Sequence, residues 1–252
     1  MFRPRVIPVL LLKGQGLIKT INFDKHRYIG DPINAVKLFN DLEVDELVFL
    51  DILASKEKRT ISIDMVKQIG DEAYMPFGVG GGISTTKDAL ALINAGAEKI
   101  ILNTAFVKTP ELVSELAALL GSQSVVVSID VKKNWLGKYQ AYINGGREKV
   151  MEAPVDLARK AEQLGAGEII INSISHDGMM QGYDLDIIRQ ISSVVNIPIV
   201  ACGGAGKLAH MRDAISGGAH AVAAGSMFVY HGARNAVLVN YPEKKELLNN
   251  FS

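Results

Sequence analysis

The chain has 252 residues, 48% of them hydrophobic, and its 27 basic and 27 acidic side chains leave a formal net charge of zero. That length suits one or two ordinary domains, or one barrel with a large core. The charge balance argues against a nucleic acid held by electrostatics, and no apolar run reaches membrane-spanning length. The lone Cys202 cannot form an intrachain disulfide, which fits a reducing, cytoplasmic setting.

The N-terminal run MFRPRVIPVLLLKGQG is too short and too strand-like for a signal peptide and reads as a first buried strand. Seven further apolar runs follow. The predicted strands are Val6–Leu11, Glu46–Asp51, Phe77–Val79, Lys99–Leu102, Val125–Ile129, Glu168–Asn172, Ile199–Ala201 and Ala221–Ala224. Runs such as VVVSI and EIIIN are continuous, the mark of strands buried on both faces of a parallel sheet. Helical patterns fill the spacers at Asp31–Leu42, Ser84–Asn94, Thr109–Leu120, Pro154–Leu164, Asp184–Ile191 and Leu208–Ser216. The first opens on Asp31 and Pro32, an N-cap followed by proline at the first helical position. Three segments exceed simple connections. Lys13–Gly30 suits a mobile lid. Lys132–Val150 reads as a hairpin pairing KYQAYI with NWLG, with a turn at Asn144–Gly146. Tyr241–Ser252 is a short polar helix or tail.

The chain also repeats itself. Pro76–Ser84 (PFGVGGGIS) returns as PIVACGGAGK from Pro198, and Gly96–Val107 (GAEKIILNTAFV) returns as GAHAVAAGSMFV from Gly218. One spacing relates both pairs, so Gly82 maps on Gly204 and Phe106 on Phe228. Eight βα units duplicated as four plus four indicate a single-domain α/β fold, a (β/α)8 TIM barrel built from two half-barrels, about 1–122 and 123–252. A doubly wound open sheet is the alternative.

Candidate chemistry falls at the strand ends. Gly81 and Gly82 follow strand 3 and Gly203 and Gly204 follow strand 7, each partnered by small polar residues after the next strand: Asn103 and Thr104, then Gly225 and Ser226. Such glycines either make tight turns alone or let backbone amides approach a phosphate. Their duplication suggests a substrate with a phosphate at each end. Asp130 ends strand 5, where a carboxylate reaches the mouth and can do acid–base work, or bond a loop amide. Asp51 at the end of strand 2 reads as a structural carboxylate. Asp177 and Gly178 after strand 6 could line the mouth. Lys19, after strand 1, could meet a phosphate or developing negative charge, or simply face solvent. His176, Cys202 and the KEKR run at Lys56–Arg59 are weaker candidates. At the opposite end, Arg5, Glu46, Lys99 and Glu168 begin strands 1, 2, 4 and 6. They are either ordinary strand-end charges or an inward ring closing the barrel floor. No metal ligand set or cofactor motif is assigned.

The chain resembles the cyclase subunit of imidazole glycerol phosphate synthase, the HisF family, over nearly its whole length. The stretches INFDKHRYIGDP, DELVFLDILASKEKR, PFGVGGGI, GAEKIILNTA, GSQSVVVSID, GAGEIIINSISHDGMMQGYD and ACGGAGK carry the likeness. The resemblance implies a half-barrel duplication, a two-phosphate substrate and a HisH-like glutaminase docked on the bottom face. It also implies ammonia crossing the barrel past a gate at Arg5, Glu46, Lys99 and Glu168. One departure stands out. The family's first strand ends in Cys-Leu-Asp-Val-Lys, whose aspartate acts in cyclisation, and here Leu11 takes that place. Ser175, Asn172 and Met179 replace a frequent aspartate and two threonines near strand 6. These departures suit a divergent paralogue, like those that serve a sugar amidotransferase in bacterial surface-polysaccharide clusters. The histidine-pathway cyclase, a lyase-type enzyme, and a non-catalytic scaffold that activates the glutaminase are the alternatives.

Overall fold

The structure is a computed structural model that describes residues 3–232 and 234–251; Met1, Phe2 and Ser252, at the ends of two segments read above, lie outside the described residues. Among these, eight parallel strands form a closed ring: β1 (Arg5–Lys13), β2 (Leu47–Asp51), β3 (Phe77–Gly80), β4 (Lys99–Leu102), β5 (Val125–Lys133), β6 (Glu168–Ser173), β7 (Ile199–Cys202) and β8 (Ala221–Ala224). The ring closes where Arg5–Pro8 of β1 pairs with Ala221–Ala224 of β8. This is the TIM barrel expected from the alternating pattern, and each predicted strand is present within a few residues.

Around it run α1 (Pro32–Asp41), α2 (Ile63–Glu72), α3 (Thr86–Asn94), α4 (Glu111–Leu120), α5 (Pro154–Gln163), α6 (Leu185–Ser192), α7 (Leu208–Ser216) and α8 (Lys244–Phe251). Asp31 caps α1 by accepting from the Asn34 amide at 2.9 Å, with Pro32 in the first turn. Thr85 caps α3 through the Asp88 amide at 3.1 Å. Helix α2 has no counterpart among the predicted helices. Only Val66 and Ile69 of its ten residues are buried, so its apolar stripe is thin. Helix α8 fills the predicted C-terminal helix and is pinned by the buried Leu247.

Alternation along the strands divides the interior. One set of side chains faces the helices and forms the main core. It includes Phe106 and Phe228, the repeat-related pair, at 1% and 0% exposure. The other set faces the barrel axis, with Ile7, Val9, Val48, Ile101, Val126, Ile170, Val200, Ala221 and Ala223 forming a separate apolar cluster.

Two excursions differ from expectation. Lys13–Gly30 is a β-hairpin rather than a loop-like lid: Gly16–Ile21 pairs back onto Leu11–Lys13 of β1 and onto Asp24–Gly30. After β5, the strand Tyr139–Ile143 pairs with Asp130–Lys133 of β5 itself, and NWLG forms the turn instead of a strand. The charged Lys132 and Lys133 conceal that extension, because they carry the strand out of the barrel into solvent. Asn144–Gly146 does turn the chain, into a short strand at Glu148–Lys149.

The second glycine of each cluster is required by packing. Gly82 has φ +66°, and a Cβ there would lie 1.8 Å from the Arg59 carbonyl oxygen. Gly204 has φ +115°, with the Gly182 carbonyl oxygen at 2.1 Å from the same position. Both therefore hold a neighbouring loop against the strand end. Gly82→Ala and Gly204→Ala should each cost at least ~2 kcal/mol, roughly 4–8 °C in Tm. Gly14→Ala, at φ +62° with nothing within 4 Å of its Cβ, suffers only backbone strain and should cost about half as much. Thermal unfolding of the three variants checks the order.

Candidate active site

Inward-facing residues step up the barrel axis in layers. On β6, Glu168, Ile170 and Asn172 point the same way, and on β5 so do Val126, Ser128 and Asp130. On β1 the series is Arg5, Ile7, Val9, Leu11. The floor is charged, the middle apolar and the top mixed.

At the floor the four expected charges meet. Arg5 donates to Glu46 through one guanidinium nitrogen and to Glu168 through the other. Lys99 Nζ lies 2.9 Å from both oxygens of Glu46 and 2.9 Å from Glu168 Oε2. Each carboxylate thus binds both cations in a closed, alternating ring. Glu46 and Glu168 are 3% and 5% exposed, so the ring's cations offset the cost of burying two carboxylates. Outside the ring, Arg3 grips Asp45 with two hydrogen bonds of 2.6 and 2.7 Å, and Asp45 accepts from the Val6 amide at 2.9 Å.

At the top, one cavity of about 690 Å³ is lined by every residue predicted for catalysis or phosphate binding. The glycines of both clusters, Asn103 with Thr104 and Gly225 with Ser226, border it from β3, β4, β7 and β8. Asn103 Nδ2 donates to the Ser128 carbonyl at 3.0 Å, and Thr104 Oγ1 accepts from the Asn144 amide at 3.1 Å. Lys58 and Arg59 of the KEKR run also border it, as do two basic side chains that the sequence left unassigned, Lys108 and Arg147. Lys108 and Arg147 come from distant segments, so only the fold places them beside one opening.

Lys19 is buried, not solvated, and its Nζ donates to the Val9 carbonyl at 2.7 Å. Burial pushes its pKa down to about 8, against the opposing attraction of Asp177. A Cβ at Gly225 would sit 1.8 Å from that Nζ, so glycine at 225 makes room for the lysine. Asp130 is 7% exposed, and burial raises its pKa to about 7, although hydrogen bonds from Ser128 and Asn172 pull it down. Near neutral pH the mouth therefore holds a carboxyl able to take a proton and an ammonium able to give one. Cys202 is partly buried, and desolvation pushes its thiol up to about 12, so it is a poor nucleophile.

Two acidic candidates are engaged by loops. Asp51 pairs with Arg59 at 2.6 Å and accepts from the Leu53 and Ala54 amides at 3.0 and 3.2 Å, which is the structural role expected of it. Asp177 accepts from the Thr20 hydroxyl at 2.6 Å and the Phe23 amide at 3.2 Å. Its carboxylate thus fastens the β1 hairpin, which leaves Gly178 as the phosphate-facing candidate of that pair. His176 bonds Ser173 at 2.8 Å and does not border the cavity. Of the four departures from the family pattern, Leu11 and Asn172 reach the cavity; Ser175 and Met179 are exposed and do not.

Residues 5–234 match the family described as "Histidine biosynthesis protein". A protein of Leptospira borgpetersenii, provisionally named imidazole glycerol phosphate synthase subunit HisF, is 48% identical over 96% of both chains. A Pseudomonas aeruginosa protein provisionally named as the synthase subunit hisF2 is 42% identical over 98% of this chain and 99% of its own. The synthase subunit HisF of Alkaliphilus metalliredigens is 44% identical over 92% of both. The chain belongs to the HisF family.

The raised pKa of Asp130 has a consequence for stability. Folding favours its protonated form, so its contribution falls as pH rises from ~4, the unfolded value, to about 7, and stays low above that. Asp130→Asn should therefore become more stable relative to the parent across that window, by a few kcal/mol at most, and level off beyond it. Urea denaturation at pH 5, 6, 7 and 8 measures the difference; a gap that shrinks with rising pH contradicts it.

Proposed function

We propose that this HisF-type subunit is a paralogue that receives ammonia from a HisH-like glutaminase on its floor and supplies nitrogen at a phosphate-binding mouth, for an amination other than histidine-pathway cyclisation. The acceptor is a sugar of the kind amidated in surface-polysaccharide synthesis, and the partner enzyme is a sugar amidotransferase. The observation that carries this reading is Leu11. It sits on the inner face of β1, borders the cavity and packs with Leu50 on the apolar cluster below. A leucine transfers no proton, and loss of one of two acid–base groups typically costs orders of magnitude in rate.

The rest of the barrel is equipped for the transfer. Arg5, Glu46, Lys99 and Glu168 form the gate, and the apolar cluster above them lets neutral ammonia pass while excluding ammonium, whose charge the cluster cannot solvate. Gly81, Gly82, Asn103 and Thr104 hold one phosphate and Gly178, Gly203, Gly204, Gly225 and Ser226 the other. Lys108 and Arg147 add positive charge at the rim. A pure scaffold would need none of these groups.

The second reading is the histidine-pathway cyclase itself, which forms imidazole glycerol phosphate and AICAR. The retention of Asp130, with its pKa near neutrality, and the 44% identity to a named synthase subunit support it.

A cyclase assay with the histidine-pathway ribulosyl substrate and saturating ammonium separates the two. The parent chain should turn over below ~0.01 per second, and Leu11→Asp should be at least ~100-fold faster. Turnover by the parent at about one per second or more would establish the cyclase reading.

A further inference from the structure

We propose that the tip of the β5 hairpin, Trp135 with Leu136, is a membrane-surface anchor that enters the headgroup region of a bilayer rich in anionic lipid.

Trp135 is the chain's single tryptophan and is 91% exposed; Leu136 beside it is 60% exposed. Isolated apolar side chains on a surface are ordinary, but a tryptophan and a leucine together on a projecting turn mark an interaction site. They stand between β5 and its antiparallel partner Tyr139–Ile143, where the hairpin carries β5 past the mouth end of the barrel.

The turn is built to leave water. Backbone groups that enter lipid must be bonded within the protein. Asn134 Oδ1 accepts from the Leu136 amide at 3.0 Å and the Lys138 amide at 2.9 Å. The Asn134 amide donates to the Lys138 carbonyl at 2.9 Å, and the Gly137 amide donates to the Asn134 carbonyl at 2.9 Å. Gly137 takes φ +76°, the left-handed conformation this turn needs. The stem is fixed too. The Tyr139 hydroxyl donates to Asp184, and Lys133 pairs with Asp186 at 3.4 Å while lying 4.7 Å over the Tyr139 ring. A tip ordered in advance loses little freedom on docking.

Charge selects the occupant. Lys132 and Lys133 precede the tip, Lys138 follows it, and all three are exposed. Lys132 and Lys138 have no ion pair among the described residues. The whole chain is neutral, so this basic collar is local. A bilayer offers the matching layers in order of depth. The indole sits at the level of the headgroups with its N–H wet, and leucine enters the acyl boundary. Lys132 lies three residues of strand behind Trp135, roughly 10 Å, where its ammonium meets lipid phosphates. The floor ring, at the other end of the barrel, stays free in water.

Intrinsic fluorescence of the parent chain tests this, because Trp135 is the sole emitting indole. Vesicles of equal parts phosphatidylglycerol and phosphatidylcholine should shift its emission saturably to the blue and shield it from iodide. Vesicles of phosphatidylcholine alone should bind at least ~10-fold more weakly. In vesicle co-sedimentation, Trp135→Ser and the double variant Lys132→Glu with Lys138→Glu should each lose about tenfold or more in affinity, with the parent's Tm retained. Emission unchanged by the anionic vesicles, or full binding by both variants, would overturn the proposal. A blue shift produced by concentrating the protein without vesicles would assign the tip to a second copy of the chain and overturn it equally. The readout needs neither glutaminase nor acceptor, so it fails separately from the proposed function.

Discussion

Two carboxylates buried at the barrel floor constrain the whole interior. Glu46, just before β2, and Glu168, on β6, stand on opposite sides of the ring of strands, and each requires compensation that water cannot give. Arg5 from β1 and Lys99 from β4 supply it, and each cation reaches both acids. A single pair would satisfy one acid and leave the other costly. The alternating ring satisfies both, and it ties together four strands that are not all neighbours in the sheet. Above it the axis must be apolar, since any further buried charge there would compete for the same partners.

The mouth obeys the opposite logic. Its charged groups, Asp130 and Lys19, are left poorly compensated, so that burial moves both toward neutrality. Groups poised in this way destabilise the fold and are retained where they serve chemistry. Leu11 breaks the pattern by extending the apolar lining to the rim of β1. A charged ring at the floor and an apolar rim on β1 at the mouth fit the proposed barrel, one that delivers ammonia to a reaction other than cyclisation.

Much of this was legible in the sequence because barrel strands announce themselves. VVVSI and EIIIN are buried on both faces and lack alternation, and the repeat placed the two glycine clusters at equivalent strand ends. The floor residues were legible for the same reason, each being a charge at the start of an apolar run. Helix α2 was not, since IDMVKQIGDE buries only two residues and reads as polar. Nor was the work of Asp177, whose partners Thr20 and Phe23 lie over 150 residues away and meet it only when the β1 hairpin folds across the mouth. For Lys19 the sequence left a site lysine and a solvated one both open, because nothing local indicates that its strand turns inward.

The central claim is that the floor still serves a glutaminase. Sedimentation of the parent chain mixed with a HisH-like glutaminase from the same organism tests it most directly. The account predicts a one-to-one complex at micromolar concentration. Independent sedimentation of the two proteins at that concentration would contradict it.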